Sequence, residues 1–195
     1  GLAKADIDDG EACIFAEALG FNRTITHLDL SNNLIGGTAE RLVASKMGIS
    51  NSVSDAEYDR MLRAQEDDDG KPSCAGIALG QALRMNGTLR VLNLSWNQLG
   101  RISGIEIGHA LGANNSLREL VVSNNSLGDA GAQLFGDALR TNETLNELDL
   151  SNNDIRNRGA CVLAGALHTN RRLRKFLLNN NPLGKFGGRA MLGTW

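Results

Sequence analysis

The sequence is poor in several things, and each shortage excludes something. Proline occurs twice and tyrosine once in 195 residues, and aromatic side chains make up 4%. No apolar run approaches the ~18 residues of a bilayer span. No basic stretch followed by an apolar one opens the chain, so neither a membrane partner nor export is expected. Neither sign of charge dominates. Twenty Lys and Arg against 22 Asp and Glu leave a formal net charge of −2, which argues against a nucleic-acid partner by bulk charge. Cysteine is scarce, odd in number and widely spaced, at Cys13, Cys74 and Cys161. That leaves neither a disulfide framework nor a paired metal-ligand pattern. All three are expected to be inert core thiols at helix starts, in a reducing, cytoplasmic setting.

The excess lies in leucine, glycine and asparagine, at 29, 23 and 20 residues, together more than a third of the chain. Such bias points to a repeat array. Four nine-residue segments start 28 residues apart: LRVLNLSWN (89–97), LRELVVSNN (117–125), LNELDLSNN (145–153) and LRKFLLNNN (173–181). A fifth, ITHLDLSNN, begins at Ile25. A second motif lies ahead of each: FAEAL (15–19), LGQAL (79–83), IGHAL (107–111), FGDAL (135–139) and LAGAL (163–167).

The spacing predicts structure. LxxLxL is a short strand whose leucines point into the array. The apolar residues of the second motif recur at three- and four-residue steps and make one helix face. Its small second and fourth residues are expected to bring the helix close to the sheet. Asparagine at strand position nine (Asn33, Asn97, Asn125, Asn153, Asn181) can bond turn backbone that otherwise lacks partners. A second asparagine row (Asn22, Asn86, Asn114, Asn142, Asn170) suits the left-handed residue that ends a helix. One repeat cannot bury its own apolar face, whereas stacked neighbours can.

The 28-residue period, LxxLxLxxN and the LxxAL-type helix resemble leucine-rich repeats of the ribonuclease-inhibitor type, over nearly the whole chain. The resemblance implies an α/β fold: a right-handed leucine-rich repeat solenoid, or horseshoe, with a parallel concave β-sheet and convex α-helices. The expected organisation is a single domain over 1–195, read as a fragment because the chain opens without Met and stops inside a repeat. With no dedicated cap visible at either end, self-association or fraying there is expected.

One interruption breaks the period, giving an irregular stretch at about 37–72. Ile25 to Leu89 is 64 residues, one period plus 36. In one reading, Leu42, Val43, Ala44 and Met47 form an ordinary repeat helix matching Val162, Leu163, Ala164 and Leu167. Val53-x-x-Ala56-x-Tyr58 is then a degenerate strand in register. In the other, Ser54-Asp-Ala-Glu57 is a capping box that opens a helix, and the array is interrupted by a larger excursion. The first is preferred because the Leu42–Met47 match is hard to obtain by chance. Residues 63–72 read as an exposed acidic loop either way.

Several chemical signals fail on inspection. Asp67-Asp68-Asp69-Gly70 lacks the carboxylate at position one and the Glu at position twelve of a calcium loop. Sequons at Asn22, Asn86, Asn93, Asn114, Asn124 and Asn142 coincide with letters the repeat itself writes. His27, His109 and His168 fall in different repeats and make no ligand set. Ser31, His27 and Asp29 form a row on one strand, without a nucleophile turn or an oxyanion donor. No metal, cofactor or catalytic group is expected.

Binding on such a fold must use its exposed face. Side chains alternate along a strand, so position three (His27, Val91, Glu119, Glu147, Lys175) and position five (Asp29, Asn93, Val121, Asp149, Leu177) face the concave side. Position seven, nearly all Ser, should join them. Trp96 breaks a row of turn asparagines, either as an interface anchor or as a cover for the irregular neighbour. Glu119, Glu147 and Asp149 make an acidic middle. The expected function is a non-catalytic protein–protein interaction scaffold in the cytoplasm that binds a protein through these eleven side chains. The repeats are also similar to those of the GTPase-activating protein for Ran, of innate immune sensors and of ciliary axonemal components, which would imply GTPase regulation, sensing or a cytoskeletal role.

Overall fold

Leucines at fixed spacing give a chain that alternates helices with three-residue strands. A computed structural model describes residues 1–36 and 75–193. The order is α1 (Asp9–Phe21), β1 (His27–Asp29), α2 (Ala75–Met85), β2 (Val91–Asn93), α3 (Arg101–Ala113), β3 (Glu119–Val121), α4 (Gly128–Thr141), β4 (Glu147–Asp149), α5 (Asn157–Thr169), β5 (Lys175–Leu177) and α6 (Gly184–Leu192). The strands form one parallel sheet in the order β1-β2-β3-β4-β5. Parallel neighbours need a crossover, and the helices supply it. Leu28, Leu92, Leu120, Leu148 and Phe176 share one register across the sheet. The first four are buried, and each contributes roughly 1.5–3 kcal/mol by leaving water.

Both asparagine rows are structural ties between coils. Asn125 Nδ2 donates to Val122 O in its own turn and to Leu94 O in the preceding coil, while its Oδ1 accepts from Leu99 N. Asn97, Asn153 and Asn181 repeat the pattern of bonding two coils at once. The helix-end row does the same: Asn114 Nδ2 donates to Leu83 O and Asn86 O, and its Oδ1 accepts from Ser116 N and Leu117 N. The expected left-handed geometry is absent from this row. Asn22, Asn114, Asn142 and Asn170 are extended, with φ near −70° and ψ of 121–136°. Strand position eight is left-handed instead, at Asn32, Trp96, Asn124, Asn152 and Asn180, with φ of 54–56°. The sequons at Asn86, Asn114 and Asn142 belong to this buried ladder.

Two further expectations are corrected. The small second residue of the helix motif faces the next helix rather than the sheet. A Cβ on Gly80 would lie 3.0 Å from Glu106 O, and one on Gly136 would lie 2.8 Å from Val162 Cγ1. Helices of successive coils therefore approach at these glycines. Cys161 is exposed on α5 and not a core thiol, whereas Cys13 packs partly against the core.

The interruption resolves differently from the preferred reading. β1 pairs directly with β2, His27 opposite Val91. Their helices also touch, and Asn86 Nδ2 donates to Leu19 O and Asn22 O across the intervening chain. Among the described residues no strand stands between β1 and β2; the degenerate strand expected at 53–58 lies outside the described residues. Gly36 occupies the register of Gly100 and Arg156, the residues that precede α3 and α5. Its N–H is held by Asp9 Oδ1, as Arg156 N is held by Asp129 Oδ1 of the preceding coil. The described part of this coil ends at Gly36, and α2 opens the next described segment. The helix expected at Leu42–Met47, the capping box at Ser54–Glu57 and the acidic loop at 63–72 lie outside the described residues.

At the other end, residues 2–7 repeat the turn of residues 30–35. Leu2 N donates to Asp29 O, Lys4 N to Ser31 O, and Lys4 is left-handed like Asn32. Asn33 closes this turn by accepting from Ala5 N and Ile7 N.

Candidate functional site: the concave face and its turn edge

The sheet brings the expected residues together in two parallel rows. His27, Val91, Glu119, Glu147 and Lys175 stand in one register across five strands; Asp29, Asn93, Val121, Asp149 and Leu177 stand in the next. All ten are exposed or half-buried, while the leucines between them face the helices.

Their roles differ. At position five, Asp29, Asn93 and Asp149 each turn a side-chain oxygen back onto a backbone N–H two residues on, at Ser31, Ser95 and Ser151. This local turn steers the chain out of the strand. These three side chains therefore serve the fold and offer only their remaining acceptor capacity to a partner. Position seven does not line the surface: Ser31, Ser95, Ser123 and Ser151 are buried. Position three carries no such duty. Glu147 accepts a hydrogen bond from Lys175 Nζ at 2.9 Å. The neighbouring Glu147 carboxylate, by hydrogen bond and then by charge, holds the Lys175 ammonium above its ordinary pKa of 10.5. His27 Nδ1 lies 2.9 Å from Thr26 Oγ1.

Trp96 stands apart. It is 60% exposed at the turn edge of β2, in a left-handed conformation that asparagine tolerates and bulky residues rarely adopt. The turn is imposed by its neighbours, since Trp96 N donates to Ser123 O as Asn124 N donates to Ser151 O. A large apolar side chain is thus held outward at a cost. Leu34, also exposed, lies on the corresponding edge of the preceding coil. Leu34 carries no signal in the sequence, because leucine is ordinary in such a repeat; only its exposure distinguishes it. Arg90 and Arg118, on the strands' leading edge, tie coils together through Ser116 O and Thr144 O.

A family model described as Leucine Rich repeat matches residues 21–39, 86–107, 113–136 and 141–164. The chain folds as a leucine-rich repeat solenoid. Among solved structures, the leiomodin-1 actin-binding site 2 domain is similar with a TM-score of 0.59 at 17% identity, over 94% of this chain and 84% of that one. The tropomodulin C-terminal domain of Caenorhabditis elegans follows with a TM-score of 0.58 at 14% identity, over 94% of this chain and 89% of that one. No match was found among curated proteins. Identities this low show a shared solenoid and nothing of a shared partner. Among the described residues, no helix of this repeat protein is long and apolar enough to cross a membrane, and no three His, Cys, Asp or Glu converge to hold a metal.

Proposed function

We propose that this leucine-rich repeat chain is a non-catalytic protein-binding scaffold of the ribonuclease-inhibitor repeat type, and that its partner lies along the concave sheet and the turn edge beside it. The observation that carries this reading is Trp96: an exposed indole in a backbone conformation that favours the asparagine found at the same place after each of the other four strands. Strain that persists without serving the core is a pointer to function, and tryptophan is enriched among interface hot spots. The position-three row supplies the rest: side chains that bond no turn backbone two residues on, carried on rigid strands.

The leiomodin-1 domain is an actin-binding site, so actin, in a cytoplasmic and cytoskeletal setting, is the first partner to try by co-sedimentation. The decisive experiment does not depend on that choice. A photo-crosslinking residue at Val121, on the concave face, is compared with one at Gln133, on the convex helix α4. The scaffold reading expects a protein crosslinked from Val121 and lost in Trp96→Asn. Crosslinking confined to Gln133 would overturn it.

A further inference from the structure

The later half of the concave sheet carries charge that the fold does not require. Glu119 and Glu147 stand directly opposite each other on β3 and β4, a register at which like charges weaken a sheet. Lys175 bridges Glu147 from β5 at 2.9 Å. Glu119 has no ion-pair partner among the described residues. Asp149 shares the strand and the side of Glu147, and one of its oxygens is not used on Ser151 N. The Lys175 ammonium lies in the field of all three acids. Ser151 has the same parity as Glu147 and Asp149 and is 7% exposed. Its hydroxyl is the one buried side-chain polar atom among the described residues with nothing to bond, whereas Ser95 Oγ, at the same place in its coil, bonds Asn93 Oδ1 at 2.8 Å. Repelling carboxylates, an unused carboxylate and an unused hydroxyl thus lie along one strip, and a lysine from the neighbouring strand already occupies part of it.

We infer that the strip of Glu119, Glu147 and Asp149, with the enclosed Ser151 hydroxyl at its turn end, receives a lysine or arginine side chain from an extended basic segment of a protein partner, and that Lys175 is its intramolecular stand-in. The inference rests on the scaffold reading and specifies the partner's chemistry. Charge complementarity selects this occupant: a cationic side chain between Glu119 and Glu147 removes their repulsion and pairs with both, as Lys175 already does with Glu147. Lys175 competes for Glu147 and thereby sets the affinity.

The test uses the full chain and a fluorescein-labelled decapeptide of alternating lysine and serine, followed by anisotropy at low salt. Glu119→Gln should weaken binding about fivefold, as for a partly exposed ion pair. Lys175→Met should tighten it about threefold by freeing Glu147. Lys185→Met on α6 makes the same change in net charge and should leave affinity within about twofold. A triple Asp67→Asn, Asp68→Asn, Asp69→Asn variant controls for the acidic run elsewhere and should bind as the parent does. The inference is overturned if Lys175→Met and Lys185→Met behave alike, or if binding follows Asp67–Asp69 and ignores Glu119. A chain that ignores the peptide yet still crosslinks a protein from Val121 loses the cationic chemistry and keeps the scaffold; loss of both removes the underlying reading.

Discussion

The middle coils and the coil of β5 are written in nearly the same letters and behave differently. Leu94, Val122 and Leu150 follow β2, β3 and β4 and are fully buried, while Leu178, at the same place after β5, is half-buried. Asn153 is sealed from water, and Asn181, with the same bonding pattern, is partly open. A middle coil has described neighbours on both sides, whereas the β5 coil has one. The difference shows that a repeat's stability resides in its interfaces more than in its own sequence.

Substitutions should expose that asymmetry. Leu120→Ala empties a fully enclosed site and should cost roughly 3–5 kcal/mol, whereas Phe176→Ala, in the same register on β5, should cost under half as much; urea midpoints of the two variants check this. Asn125→Ala strands Leu94 O, Val122 O and Leu99 N and should cost roughly 2–4 kcal/mol, against about 1 kcal/mol for Asn181→Ala, where water can replace the amide. Equal losses in either pair would refute the interface account.

Trp96→Asn should move the other way. It relieves the left-handed strain and should stabilise by on the order of 1 kcal/mol while weakening partner capture. A loss of stability would mean that the indole serves the fold. The smallest effect concerns Lys175. Its folded pKa is raised by Glu147, so the bridge's contribution is complete below the ordinary value of 10.5 and is lost as pH rises through the folded value. The stability difference between the parent and Lys175→Met should therefore vanish at strongly alkaline pH and be steady across the neutral range.

Much of this architecture is legible in the letters because 28-residue spacing puts like residues on neighbouring strands. Leu92, Leu120 and Leu148 meet as their period requires, and the Asn97–Asn125–Asn153 ladder bonds the turns it was expected to bond. What escaped depends on contacts between coils. Gly80 and Gly136 show as small residues, but only stacking reveals that they face helices. Trp96 is left-handed because the neighbouring coil fixes the turn, which the propensity of tryptophan does not state. Asp29 and Asp149 read as free acids, yet their geometry commits one oxygen to Ser31 and Ser151. The interruption misled for a related reason: Leu42–Met47 copies helix letters, and counting by 28 then places a strand at 53–58 where β1 and β2 already touch.

The proposed docking face of His27 through Lys175 requires one continuous five-strand surface. Methyl NMR tests it most directly, through the cross-peak between Leu28 and Leu92. Adjacent parallel strands lie about 4.8 Å apart, and an intervening strand would double that. The account predicts a strong Leu28–Leu92 cross-peak comparable to that of Leu92–Leu120. Its absence, with Leu28 instead contacting residues 53–58, would contradict it.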